Sequence, residues 1–416
     1  MSGGALEGIR IIDLSSVVVG PLATQILADH GADVIKVEGP GGDIGRYLAG
    51  KGRNDGMSPK YLHLNRNKRS VCLDLKTTQG HRVLMRLLET ADVLLWNVRP
   101  ASMERLGLGY DAIRRVKPDI IYCGMFGFGQ AGRYRDMPAY DSIIQGVSGV
   151  ADLNRRVLGA PAYVPFVLAD RTVGLIGAHL ITMALLHRMK TGEGQRIEVP
   201  MYENMVTQVM TEHMYLSTFD PPLGGTGDPR VLDPGNRPIP TLDGYICISA
   251  NTDTQAHALF DAMERPELKT DPRFTTVAAR FRNVREYFRL RREAMAMRTT
   301  QEWMEIFRRR DIPAAPCNTL ESLMSDPHLN DVGLFQKREH PTEGAIMDIA
   351  PANTMSAGMR KDWIPAPRLG QDTANVLEEI GYTKEEIAKM AAGGSVRVAG
   401  DAARRAFNSD RTRRHE

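Results

Sequence analysis

From residue 9 to residue 125 the chain alternates short apolar runs with helix-like segments, and this alternation narrows the choice of fold more than any other feature. Residues 9–14 form an apolar strand that closes in Ser15-Ser16. Pro21 fits the first turn of a helix, where its missing N–H has no partner to lose. The segment 21–30 then sets Leu22, Ile26 and Leu27 on one face, and Gly31 supplies the stop. Residues 32–38 are the next strand, and a strand–helix–strand of this length requires parallel pairing through a right-handed crossover. The pattern recurs as helix 80–90, strand 93–97, helix 110–116 and strand 120–125. It predicts a doubly wound α/β domain with a large parallel sheet. Ligands in such sheets gather beyond the carboxyl ends of the strands, so Ser15 to Gly20, Asn97 to Arg99 and Gly127 to Gly132 are expected to face a common crevice.

With 416 residues the chain exceeds one ordinary core. The texture changes where Pro221-Pro222, Gly224-Gly225-Thr226-Gly227 and Pro234, Pro238 and Pro240 crowd together. The expected division is a large domain over 1–215, a smaller α/β or α+β domain over 222–330, and a return segment over 331–416. That segment completes the large domain with helices at 373–379 and 384–391. It ends in a polar tail carrying Arg404, Arg405, Arg411, Arg413 and Arg414, read as a solvated end.

A formal charge of +3 gives no whole-protein basic field of the kind nucleic acid requires. Cys72, Cys123, Cys247 and Cys317 stand far apart with no CxxC pair, which argues against a disulfide framework or zinc site and fits a reducing cytoplasm. Residues 1–8 lack the basic start and apolar run of a signal peptide. No apolar stretch approaches the roughly 18 residues of a membrane helix. The longest, 173–186, is interrupted by Gly174, Gly177 and His179 and reads as a buried helix.

No GxGxxG follows the first strand, GxxxxGK[ST], HExxH and GxSxG are all missing, and the glycine-rich Gly124 to Gly129 is explained equally well by a turn, so a nicotinamide or ATP enzyme finds no support. The informative acid is Asp170, between the apolar stretch 164–169 and a long helix expected to start near Arg171. An aspartate there is a helix N-cap by elementary physics. The same place also suits a nucleophile, whose oxyanion nearby N–H groups would stabilise. Geometry alone leaves both readings open.

A series of motifs bears on that choice. Gly20-Pro21 and Gly31-Ala32-Asp33-Val34-Ile35-Lys36-Val37-Glu38 are followed by Asn65-Arg66-Asn67-Lys68-Arg69-Ser70, Leu73-Asp74-Leu75-Lys76 and Asn97-Val98-Arg99-Pro100. Then come Pro138-Ala139-Tyr140-Asp141 with Gln145, Ala169-Asp170, Thr191-Gly192-Glu193-Gly194-Gln195 and, far downstream, Pro367-Arg368-Leu369-Gly370. In this order, and over almost the whole chain, they resemble the family III (CaiB–BaiF) CoA-transferases. The resemblance implies an acyl-CoA:carboxylate CoA-transferase in which Asp170 is the nucleophile, passing through an aspartyl anhydride and an aspartyl-CoA thioester. Coenzyme A is then a substrate, with no permanently bound cofactor and no metal. The positions implied to hold it are Val18, Leu73, Lys76, Asn97, Arg99, Met103 and Arg105, with the cations on the phosphates and Leu73 near the adenine. Tyr140 and Met201 are implied to line the acyl end. The molecule is implied to be an interlocked homodimer, and Gly224 to Gly227 stands where the family has a glycine-rich loop, or is a plain interdomain turn. Some members carry a glutamine where this chain has Val18, which removes any oxyanion role for that side chain.

Two other functions fit parts of the pattern. An α-methylacyl-CoA racemase-type isomerase needs two proton-transfer groups, but Tyr140 stands in the histidine's place and His179 falls mid-helix. A non-catalytic acyl-CoA-binding protein has no use for Asp170. The acids exchanged are not legible; Arg46, Arg53 and Arg230 are candidates for the second carboxylate of a small dicarboxylic acceptor.

Overall fold

In the computed structural model residues 4–360 and 362–399 are described, and the arginine-rich tail lies outside them. The described residues form two compact units, one from 4–148, 164–207 and the described part of 333–399, the other from 149–163 and 208–332. The second unit thus includes 149–163, a segment expected in the large domain.

The first unit is built on a seven-stranded sheet: β1 (Arg10–Asp13), β2 (Asp33–Glu38), β3 (Lys68–Leu73), β4 (Val93–Trp96), β5 (Ile121–Phe126), β6 (Gln195–Pro200) and, at the far end of the chain, β12 (Val396–Arg397). Its order is β12-β3-β2-β1-β4-β5-β6, parallel throughout except for β12. β5 is buried at every position and β2 at all but its first, as parallel strands covered on both faces must be. The chain winds outward from β1 to β3 and then returns to lay β4 on the other side of β1. The direction of winding therefore reverses between β1 and β4, and ligand crevices form at such a point.

Helices α1 (Val19–Asp29), α2 (Pro59–Leu64), α3 (Thr78–Leu88), α4 (Pro100–Arg105), α5 (Tyr110–Val116) and α6 (Asp141–Val147) connect the strands. α2 starts on Ser58, whose side chain accepts from the Tyr61 N–H, with Pro59 in the first position. α3 starts on Thr77 in the same way. Its Val83, Leu84, Leu87 and Leu88 pack into a core with Ile12, Ile35, Leu94 and Tyr122, closed by Val376 and Leu377 of the helix Thr373–Glu379. A hairpin of β10 (Phe335–His340) and β11 (Gly344–Ile349), absent from the sequence reading, completes this unit.

The second unit holds α7 (Val150–Leu158) and a three-stranded antiparallel sheet of β7 (Ile239–Pro240), β8 (Tyr245–Ile248) and β9 (Ala314–Pro316). Antiparallel strands make it α+β. Phe260, Phe274, Trp303 and Phe307 fill its core, and capping boxes at Thr252/Gln255 and Thr299/Glu302 start two of its helices. All four cysteines are free; Cys247 and Cys317, remote in sequence, lie on and just after the paired strands β8 and β9.

The long helix of the first unit, α8, spans Leu168–Thr191 and corrects two expectations. By length and composition it is apolar enough to cross a membrane, so the stretch is longer than the sequence suggested. It is also only half buried: Val173, Gly174, Gly177, Ala178, Ile181, Ala184 and Leu185 face inward, while Leu175, Met183, Leu186 and Met189 are exposed. Its inner side rests on α1. At Gly174 the Val19 carbonyl oxygen stands 2.9 Å from where a Cβ would sit, so only glycine permits this approach.

Candidate active site

β1 ends on Asp13, which is wholly buried and organises the loop that follows. Its carboxylate accepts from the Ser15 N–H and hydroxyl, from Thr24 at 2.6 Å, and from the Lys68 ammonium at 3.2 Å. Burial works to raise its pKa, but Lys68, Lys36 and the two hydroxyls overcome it and hold the carboxyl down at about 2. Lys36 donates to the Ser15 carbonyl at 2.7 Å and pairs with Asp43 at 2.9 Å. Asp43 in turn accepts from the Val17 N–H at 3.0 Å. Across the switch point, Asn97 at the end of β4 clamps Ser16 on both sides, accepting from its N–H at 2.9 Å and donating to its carbonyl at 2.8 Å. The loop between these clamps is strained. Val17 has φ 70°, a left-handed conformation that a β-branched residue avoids and that persists only when its surroundings over-determine it.

Asp170 stands one helical turn before Gly174, the residue at which α8 meets Val19 at the start of α1, directly after that loop. It is not the N-cap. α8 begins at Leu168, which puts Asp170 third in the helix, and the capping is done by Asp141, 29 residues earlier, whose Oδ1 accepts from the N–H groups of Ala169 (2.8 Å) and Asp170 (3.2 Å). Gln145 holds the approach to the helix: it donates to Asp141 at 2.7 Å and accepts from the Val164 N–H at 2.9 Å. With the cap supplied from elsewhere, the Asp170 carboxylate makes no hydrogen bond to any described residue. Burial, joined by repulsion from Asp141, pushes its pKa up to about 7, against the opposing pull of Lys60 and Arg171. The helix N–H groups expected to hold an oxyanion are already committed: Ala169 and Asp170 to Asp141, Arg171 to the Val167 carbonyl.

The remaining implied positions divide by exposure. Lys76, Arg99 and Arg105 are exposed, the last donating to the Ser102 hydroxyl at 3.0 Å. Val18, Leu73 and Met103 are buried. Leu73 lies inside the core cluster, so its side chain offers no face to an adenine. Tyr140 is 72% exposed at the start of α6, and Met201 is buried just beyond β6. Of the three arginines considered for a distal carboxylate, Arg46 is corrected outright. It is buried and spends its guanidinium on both oxygens of Glu38 at 2.7 Å, with Tyr61 and the Pro367 carbonyl as further partners. Arg53 donates to the Glu343 carbonyl, and Arg230 lies over the Phe281 ring beside Asp228. Among the described residues there is no cluster of three or more metal-ligating side chains.

Sequence reasoning missed Asp43, Lys36 and Asp141 as the groups that shape this site. Asp141 had a signal, since it stands in the Tyr140-Asp141 motif with Gln145 four residues on.

A family model described as CoA-transferase family III matches residues 6–373. An acyl-CoA transferase of Fusarium pseudograminearum is 35% identical over 95% of this chain and 89% of its own length. A succinate–glutarate CoA-transferase of Agrobacterium fabrum is 33% identical over 90% of this chain and 95% of its own. Among solved structures, a CaiB/BaiF family protein from Brucella suis superposes with a TM-score of 0.76 at 28% identity, covering 91% of this chain and 100% of that one.

Proposed function

The chain belongs to CoA-transferase family III, and from that premise we propose that it moves CoA between carboxylic acids through covalent intermediates on Asp170. The Asp170 carboxylate attacks the thioester carbonyl of a donor acyl-CoA, forming a mixed anhydride and releasing CoA as its thiolate. The thiolate attacks the aspartyl carbonyl and expels the donor acid, leaving an aspartyl-CoA thioester. An incoming carboxylate attacks that carbonyl to give a second anhydride and free thiolate, which takes the new acyl group and restores Asp170. No proton need be transferred and the thioester energy is kept, provided water is excluded.

The observation that carries this reading is the freedom of the Asp170 carboxylate. A cap would be tied to backbone N–H groups; here Asp141 takes those N–H groups and leaves Asp170 unbonded in a half-buried place, as a nucleophile requires. Lys76, Arg99 and Arg105 supply exposed positive charge suited to the phosphates of CoA. A racemase reading gains nothing from His179, nine residues along α8 and so about 13 Å from Asp170 along the helix axis.

The test is mass spectrometry of protein incubated with acyl-CoA. An acyl or CoA adduct is expected on the peptide containing Asp170, and Asp170→Asn should abolish it and lower kcat/KM by at least about a thousandfold. Exchange at full rate in that variant would defeat the mechanism, and exchange of the α-proton in deuterated water would favour the racemase.

A further inference from the structure

At Arg171, the residue after Asp170, the first unit contains a cavity of about 400 Å³ whose walls include Leu22 and Ile26 of α1, Leu175 of α8, and Met359. Two cations, Lys60 of α2 and Arg171 of α8, also line it. Neither side chain makes a hydrogen bond or ion pair with a described residue. The acid on the same wall, Asp29, is already neutralised: Arg66 grips both its oxygens at 3.1 and 2.7 Å, and Asn67 adds a third contact at 2.7 Å. The cavity therefore combines aliphatic walls with two cations that have no ion-pair partner among the described residues and act on Asp170 only through space, a combination complementary to an anion on an aliphatic chain.

Its direction matters as much as its charge. Leu22 and Arg171 belong to the first turns of their helices, and Ile26 and Leu175 lie one turn further, about 5.4 Å on. The cavity therefore starts at the first turn of α8, the turn that carries Asp170, and follows the helix pair toward Leu175 and Ile26. An acyl chain joined to Asp170 through one carboxyl group would lead its far end into this space.

We propose that this cavity is the subsite for the distal carboxylate of a dicarboxylic acyl group, and that Lys60 and Arg171 are the residues that select it. The proposal rests on the CoA-transfer reading and supplies what Arg46, held by Glu38, does not.

The experiment compares succinate with butyrate, a diacid and a monoacid of the same chain length, as acceptors for the wild type, Lys60→Gln, Arg171→Gln and Arg171→Lys. The wild type is expected to prefer succinate. Each glutamine variant should lower the succinate-to-butyrate ratio of kcat/KM by about tenfold or more, mainly through the acceptor KM, since a charge-assisted hydrogen bond is lost. Arg171→Lys should keep the ratio within about threefold of wild type, because the charge remains. An active wild type that treats both acids alike, or two glutamine variants whose ratio does not move, overturns the subsite and leaves the CoA-transferase reading standing. A rise in the KM of the acyl-CoA donor with no change in the ratio also overturns it, by assigning the cations to the phosphates of CoA. A wild type that transfers CoA to no acid and forms no Asp170 adduct defeats the functional reading and takes the subsite with it.

Discussion

Asp13 and Asp170 are both carboxylates of the first unit, yet their surroundings drive them in opposite directions. Asp13 is ringed by Lys68, Lys36 and hydroxyl donors that hold it ionised, and it is part of the scaffold. Asp170 is desolvated and repelled by Asp141, so its pKa rises to about 7, and among the described residues its carboxylate has no hydrogen-bond partner. Two consequences can be measured. The rate of adduct formation on the free enzyme should fall about tenfold for each pH unit below 7, as the nucleophile is protonated. Stability should show the same group in the reverse sense. A carboxyl whose folded pKa lies above its ordinary value near 3.8 binds more protons in the native state, so it costs stability as pH climbs from about 4 through 7. Asp170→Asn removes that cost. Thermal unfolding should show the variant stabilised at pH 8, on the order of 2 kcal/mol after allowance for solvent, and little changed at pH 4; equal shifts at both would refute the raised pKa. The position of the acid before a long apolar helix was legible locally, but there a cap and a nucleophile look alike, and only the resemblance to family III separated them. What frees its carboxylate was not legible, because that depends on a residue 29 positions away.

The same division runs through the secondary elements. Strands β1, β2, β4 and β5 were readable because each is a short, mostly apolar run, and parallel strands have little freedom to be anything else, whereas β3 was passed over because its run opens on Lys68-Arg69-Ser70. The start of α8 was misplaced because its cap is tertiary. The antiparallel hairpin β10–β11 was passed over, its half-exposed FQKREH strand lacking a continuous apolar run. Asp141 is accordingly a positioning residue whose two roles can be separated. Asp141→Ala removes the acceptor for two N–H groups and should cost about 1–2 kcal/mol of stability, read by denaturant unfolding. Asp141→Asn keeps an acceptor for those groups but removes the negative charge that helps raise Asp170. Its acidic limb of activity should therefore move to lower pH, at a smaller loss of stability than Asp141→Ala because only the Gln145 contact is lost. A variant whose pH profile stays on that of the wild type would show that Asp141 acts through capping alone.

For the whole molecule, the exposed side of α8 is the feature that a single chain leaves unresolved. Leu175, at the wall of the cavity, is followed by Met183, Leu186 and Met189 at helical spacing on the exposed side of α8, and Met189 is 80% exposed. Such a stripe on a half-buried helix is a surface that association would cover. The resemblance to family III implies an interlocked homodimer, and a second copy of the chain is the expected occupant. Sedimentation should therefore give twice the chain mass of 46.1 kDa at all working concentrations. Two charged substitutions in the stripe away from the cavity, Met183→Glu and Leu186→Glu, should lower the yield of folded dimer, because a buried unpaired charge costs several kcal/mol. Interlocking adds a sharper requirement. Threaded chains cannot separate while folded, so dilution should release no native monomer, and the unfolding midpoint should nonetheless depend on protein concentration because unfolding frees two chains. A reversible monomer–dimer equilibrium between folded species would exclude the threaded form while keeping the dimer, and a monomer at every concentration would exclude both.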